Sequence, residues 1–185
     1  MPIAFKEWAV TVRALAEGEQ LVTLRKGGIR EENKHFEVEH DRFFLYPTFD
    51  HQRNDLVRES HHPELRRALE EGVWPDEEPP PRALLQDGGI PQPDRVRIRS
   101  WAEVADHFET SDPRIVDSLS PFHVWTQDYA HKRLSWKPRH PIHVLLPLII
   151  GKAQRRPAAF RRLRIILRGF PIARLRSSPA HGSRN

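Results

Sequence analysis

The chain has 185 residues, 38% hydrophobic and 30% charged, and no cysteine. That length suits one domain with a real core, and the missing thiol excludes a disulfide framework, a zinc ribbon, an iron–sulfur cluster and a cysteine nucleophile. The formal charge of +5 is divided unevenly: residues 1–151 carry 20 Lys and Arg against 25 Asp and Glu, whereas residues 152–185 carry 10 and no acid. The body is mildly acidic, so global charge does not argue that it grips a phosphate backbone.

The opening MPIAFKEWAV has no basic stretch followed by a long apolar run, so it does not read as an export signal. The longest apolar run, Val144 to Ile150, is broken by Pro147 and falls short of the roughly 20 residues a membrane span needs. A soluble, cytoplasmic protein is the expectation.

In chain order, Trp8 to Ala14 alternates, with Trp8, Val10, Val12 and Ala14 on one face, as in a strand. Gly18 marks a turn, and Leu21 to Arg25 reads as the returning strand of a hairpin. A helix over residues 4–16 is the competing reading, set aside because Val, Thr and Trp favour pleated surfaces. Phe36 to His40 alternates again, and Phe43 to Tyr46 is a second, buried strand whose pairing Pro47 should end. Thr48 is placed to N-cap a helix running to about Ser60, with Asp50 in its first turn. Pro63 opens a short helix to Leu69.

Residues 74–94 hold six prolines and a Gly-Gly pair, the composition of a linker or long surface loop. Arg95 to Arg99 follows as a short strand. Ser100 and Glu103 form a capping box that predicts a helix from Trp101 to about Glu109, and Asp112-Pro113 opens another to Leu119. Val124-Trp125 and Leu134 to Trp136 read as strand pieces around a polar segment, and Ile142 to Ile150 as a last buried strand. The fold class is α+β: a mixed small sheet or pseudo-barrel, of the PUA or ASCH type by analogy, with short flanking helices. Residues 1–150 form one domain and residues 151–185 a basic tail.

Chemistry is concentrated in residues 25–52. Arg25, Lys26, Gly27 and Gly28 are anion-binding candidates: glycines turn successive amides toward one point and lysine adds a point charge. The same residues also read as a plain turn. Lys26, Glu31, His40 and His51 are the candidate catalytic set. His51, in the first turn of the helix capped by Thr48, would be kept neutral by the helix dipole and so able to act as a base. Glu31, His40 and His51 match no defined metal motif, and neither a metal nor a cofactor is expected. A second cluster, Trp125, Tyr129, Arg133 and Trp136, with Asp128 and His131, reads either as a platform for stacking unpaired bases or as core packing.

The segments KEWAV, LRKGGIRE, FEVEH, FFLYPT and HQ, followed by HVWTQDY and RLSWKP, resemble the bacterial family called domain of unknown function 1802, over roughly residues 5–146. The resemblance implies no activity and no catalytic residues. Some members look fused to restriction-endonuclease-like domains, which implies a restriction or DNA-defence context, with DNA or RNA and a nuclease as partners. The expected function is therefore a nucleic-acid-associated accessory domain, and the alternative is a hydrolase or phosphate-ester enzyme using Lys26, Glu31, His40 and His51.

After Leu146 the chain departs from that pattern. The switch to Arg, Pro, Ala, Gly and Ser with no acid is what an out-of-frame reading of a GC-rich gene produces. A divergent basic tail that touches nucleic acid and an amphipathic membrane-surface segment around Leu163 to Leu167 are the other readings. Interrupted by Pro157, Gly169, Pro171 and Pro179, the tail is expected to add little core and to hold no helix past about Arg168.

Overall fold

The sheet at the centre of the protein is open and mixed, with strand order β1-β3-β6-β7-β2 and β8 added to β6. The computed structural model describes residues 3–26, 42–150, 157–170 and 174–175. The strands are β1 (Ala4–Trp8), β2 (Thr23–Arg25), β3 (Arg42–Thr48), β6 (Trp101–Thr110), β7 (Ile142–Ile149) and β8 (Arg174–Leu175), and β4 (Gly72–Val73) with β5 (Arg95–Val96) forms a separate ribbon. The helices are α1 (Ala9–Glu17), α2 (His62–Ala68), α3 (Leu84–Asp87), α4 (Pro113–Ser118), α5 (Gln127–Ser135) and α6 (Pro157–Arg168). β1 pairs parallel with β3; the other pairings are antiparallel. The fold is α+β, and among the described residues the sheet forms no closed barrel, because β1 and β2 are its two edges.

The expected N-terminal hairpin is replaced by a strand running straight into a helix. α1 lies between two apolar clusters: Ala9, Val10 and Ala14 belong to the main core, Val12 and Leu15 to a second core against the sheet. Buried on two sides, it lacks the single stripe that marks a surface helix, and its sequence alternates like a strand. Gly18, at φ 75°, closes α1 in the left-handed conformation that favours glycine at this position.

Pro47 does not end sheet pairing; it sits within β3, in register with Glu7 of β1. Phe44 N–H donates toward β1, to Ile3 O, and Leu45 N–H toward β6, to Ser100 O. Alternation turns the Pro47 nitrogen to the β6 side, where pairing has already stopped at Phe44 and Trp101, so no ladder bond is lost. Thr48 caps no helix. The following segment makes two 3-10 turns, Asn54–Leu56 and Glu59–His61, and the Thr48 hydroxyl donates to Glu7 O at 3.1 Å.

The capping box at Ser100 and Glu103 is overruled by two ladders. Residues 101–110 are the long central strand, flanked by β3 on one side and β7 on the other. Pro147 of β7 stands opposite Val104, beside the register shift between Val104 and Asp106, a bulge being one of the few places a paired strand accepts proline. α4 starts where expected, Asp112 Oδ1 accepting from Arg114 N–H. The polar segment after Trp125 is a helix, α5, with Thr126 as its N-cap.

Residues 74–94 are irregular apart from one 3-10 turn and α3, yet Trp74, Leu85 and Ile90 are buried in the main core, so the segment is a loop pinned at three points. The tail also departs from expectation. α6 ends at Arg168, as its composition predicts, but Leu163 and Leu167 are buried in the main core, with Phe160, Ile166 and Phe170 packed against it. These residues recur at three- and four-residue intervals, so they share one side of the helix despite the unbroken apolar run.

Candidate functional site

Two groups that are far apart in the sequence meet where the edges of the sheet approach each other. Arg25, at the end of β2, donates from Nη2 to Lys6 O of β1 at 2.6 Å. Its Nε lies 3.4 Å from Glu7 Oε1, and its guanidinium sits over the Phe5 ring at 4.1 Å. Lys26 is buried, its Nζ donating to Leu134 O in α5. Burial first, and then the Arg133 guanidinium, hold the Lys26 ammonium pKa below its ordinary value. Burial raises the Glu7 carboxyl against the opposing pull of Arg25, Arg133 and the Trp8 backbone. Arg133 Nη1 donates to Tyr129 Oη at 3.5 Å. Arg25 and Arg133 thus converge on Glu7, with Tyr129 beside Arg133 and Lys26 held on the end of α5; Glu7 carries no local signal in the sequence, being one acid in a short strand.

The remaining candidates lie elsewhere. His51 is exposed in a turn at φ 62°, beside Gly88; without a helix there, the dipole argument for it falls. Gly27, Gly28, Glu31 and His40, with the strand expected at Phe36 to His40, lie outside the described residues. Trp125 is 2% exposed and packs on His123 and Tyr129, and Trp8 also packs on Tyr129, so Trp125 belongs to the core and is not a stacking platform. Trp136 is exposed, with Lys137 over its ring.

A third polar group was not legible in the sequence. Arg25, His143 and Glu109 are register partners across β2, β7 and β6, which puts their side chains on one face. His143 Nδ1 lies 3.4 Å from Glu109 Oε1 and 3.1 Å from His107 Nε2. Both imidazoles are buried. Burial, then His143, lowers the pKa of His107, with Glu109 and Asp106 opposing. His107 and Glu109 share a face only if residues 101–110 are a strand; on the helix predicted there they would point about 200° apart. Among the described residues no group of three or more His, Asp or Glu is arranged to hold a metal, and no helix is long and apolar enough to cross a membrane.

The opposite face of the same sheet is open at its β1-β3-β6 end. Register brings Lys6 beside Tyr46, and Phe44 beside Trp101. Phe44 is 41% exposed, Tyr46 and Trp101 are partly exposed, and Lys6 and Arg42 are exposed. Lys6 Nζ is 5.7 Å from the Tyr46 ring centre, and the Arg42 guanidinium is 5.8 Å from that of Trp101. Arg42 also pairs with Glu103 at 3.1 Å. Phe43 and Leu45 point the other way, into the core that Val12 and Leu15 of α1 complete. Read from sequence as wholly buried, β3 is half-exposed, and Phe43 and Phe44 face opposite sides.

The model of the family described as Domain of unknown function (DUF1802) matches residues 4–154. The chain belongs to the DUF1802 family. No curated protein and no solved structure matches it. The DUF1802 span takes in β1 to β7, and with them the polar seam and the open aromatic face; α6 and β8 follow it. Two of the segments that carry the family resemblance brace the junction of β1 and α1. Thr48 Oγ1 donates to Glu7 O, and Gln52, fully buried, accepts the Val10 N–H at 2.9 Å on Oε1.

Proposed function

We propose that this DUF1802 domain is a nucleic-acid-associated accessory module, in a restriction or defence setting, that holds unpaired bases on the open face of its sheet. The observation that carries the reading is the trio Phe44, Tyr46 and Trp101 on adjoining strands, with Lys6 and Arg42 beside two of the rings. Aromatic side chains on a sheet surface stack successive bases of any sequence, and neighbouring cations meet the phosphates between them. Trp136 with Lys137 is a further exposed aromatic–cation pair.

The alternative, hydrolysis of a phosphate ester by Lys26, Glu31, His40 and His51, has less behind it. Lys26 is occupied by a backbone carbonyl, and His51 sits in an exposed turn.

Fluorescence anisotropy with labelled single-stranded and duplex oligonucleotides tests the reading. The wild-type chain should prefer single strands, and Phe44→Ala and Trp101→Ala should each weaken binding about 5- to 150-fold, the cost of about one lost base stack. Absence of single-strand binding by the wild type at low salt refutes it. So does a dimer in sedimentation that Phe44→Ala dissociates, since the face would then be a subunit interface.

A further inference from the structure

We infer that the outer side of α6 is a separate contact for the phosphate backbone of duplex nucleic acid; the inference rests on the nucleic-acid reading above but not on the sheet face. The inner side of the helix is fixed, with Leu163 and Leu167 buried in the main core. The outer side presents Arg161, Arg162, Arg164 and Arg168, all exposed. At about 100° per residue, Arg161, Arg164 and Arg168 fall within about 60° of one another and form a stripe about 10 Å long. Duplex DNA offers one negative charge per roughly 1.7 Å of axis, so such a stripe spans several phosphates.

Among the described residues the stripe is not consumed by ion pairing. Among the described residues none of these four guanidiniums has an ion-pair partner, and the chain has no Asp or Glu after Asp128. Since the helix is docked along its apolar side, the backbone positions that carry the arginines are fixed relative to the body. A membrane surface is the rival occupant, because basic amphipathic helices lie on anionic lipid. Such helices put their apolar face into the lipid, whereas that of α6 is spent on the core, leaving Ile165, 68% exposed, as the large apolar side chain on the outer side of the described helix. Charge complementarity without a free apolar face favours the phosphate backbone. α6 lies beyond residues 4–154 matched to the family, so this contact stands outside the matched span.

The test is the salt dependence of duplex binding by the full chain and by the triple variant Arg161→Gln/Arg164→Gln/Arg168→Gln, whose changes are all at exposed positions. Each phosphate contact contributes roughly 0.9 to the slope of log K against log salt, so the triple variant should lose about 2 to 3 units of slope. Its preference for single strands through Phe44 should persist. An unchanged slope, or a wild-type chain that binds no duplex, overturns the inference. Binding to phosphatidylserine vesicles that Ile165→Asp removes, while duplex binding is absent, overturns it in favour of a lipid surface. If instead Phe44→Ala has no effect but the slope still falls, the sheet-face reading fails and this one stands.

Discussion

Arg25 and Glu7 face each other at 3.4 Å although they stand on β2 and β1, the opposite edges of the sheet. The sheet curls until its edges are one side chain apart, and Arg25 bridges a seam that a closed barrel would fill with backbone hydrogen bonds. Removing one partner of a buried ion pair leaves the other uncompensated.

Arg25→Met should therefore destabilise the fold by about 2–3 kcal/mol in urea denaturation, toward the low end for a buried pair because the arginine is partly exposed. Glu7→Gln/Arg25→Met should lose less than Arg25→Met alone. Burial already raises the Glu7 pKa, and without Arg25 it rises further. A carboxyl with a raised native pKa contributes stability that fades as pH rises through that value. The Arg25→Met defect should thus be larger at pH 8 than at pH 5; a pH-independent defect would show that Glu7 is not the group left unpaired.

His123 gives a second pH dependence. Burial first, and then the Arg58 guanidinium, push its imidazole down to about 3. Between that value and the ordinary histidine pKa of about 6.5, the unfolded chain binds a proton that the native state refuses, so stability falls as pH falls. From pH 7 to pH 5 this single group removes about 2 kcal/mol. His107 acts in the same direction, and Glu7 and Glu71, both raised by burial, act against it, so the comparison needed is with His123→Leu. His123 is buried against the Trp125 ring, so the leucine variant keeps an apolar side chain there and should fold and show a flatter stability profile over this range. Superimposable profiles would refute the assignment.

Gln52→Leu should cost about 1–2 kcal/mol, because the buried Val10 N–H in the first turn of α1 loses its acceptor. Circular dichroism melts would report the loss. A Gln52→Leu chain as stable as wild type would separate this glutamine from the fold.

Leu163→Ala and Leu167→Ala should each lower stability by about 2–4 kcal/mol, the cost of deleting buried methyl groups and leaving a cavity. Truncation after Ile150 should expose the apolar surface beneath α6 and reduce stability by at least as much. Truncation without loss would show that α6 does not belong to the core.

Charge division, the absence of thiols, the family and the α+β class were all legible in the residues. So were α2, α4, β2 and β7, because each carries a local signal: Pro63 at a helix start, Asp112 at a cap, the adjacent β-branched pair Val22 and Thr23, a stretch apolar on both faces. Where local signal and tertiary pairing disagreed, pairing won. Ser100 and Glu103 satisfy a capping box on paper, but two neighbouring strands offer residues 101–110 more hydrogen bonds than one helix terminus recovers. That choice alone decided that His107 and Glu109 would share a face with His143. The strand-like alternation of Val10 and Val12 belongs to a helix because α1 is buried between two cores. The meeting of Arg25 and Arg133 at Glu7, the docking of Lys26 on α5, and the exposure of Phe44 beside Trp101 were decided only by the curl and register of the sheet, since contacts between residues up to about 130 positions apart leave no periodicity in a single chain.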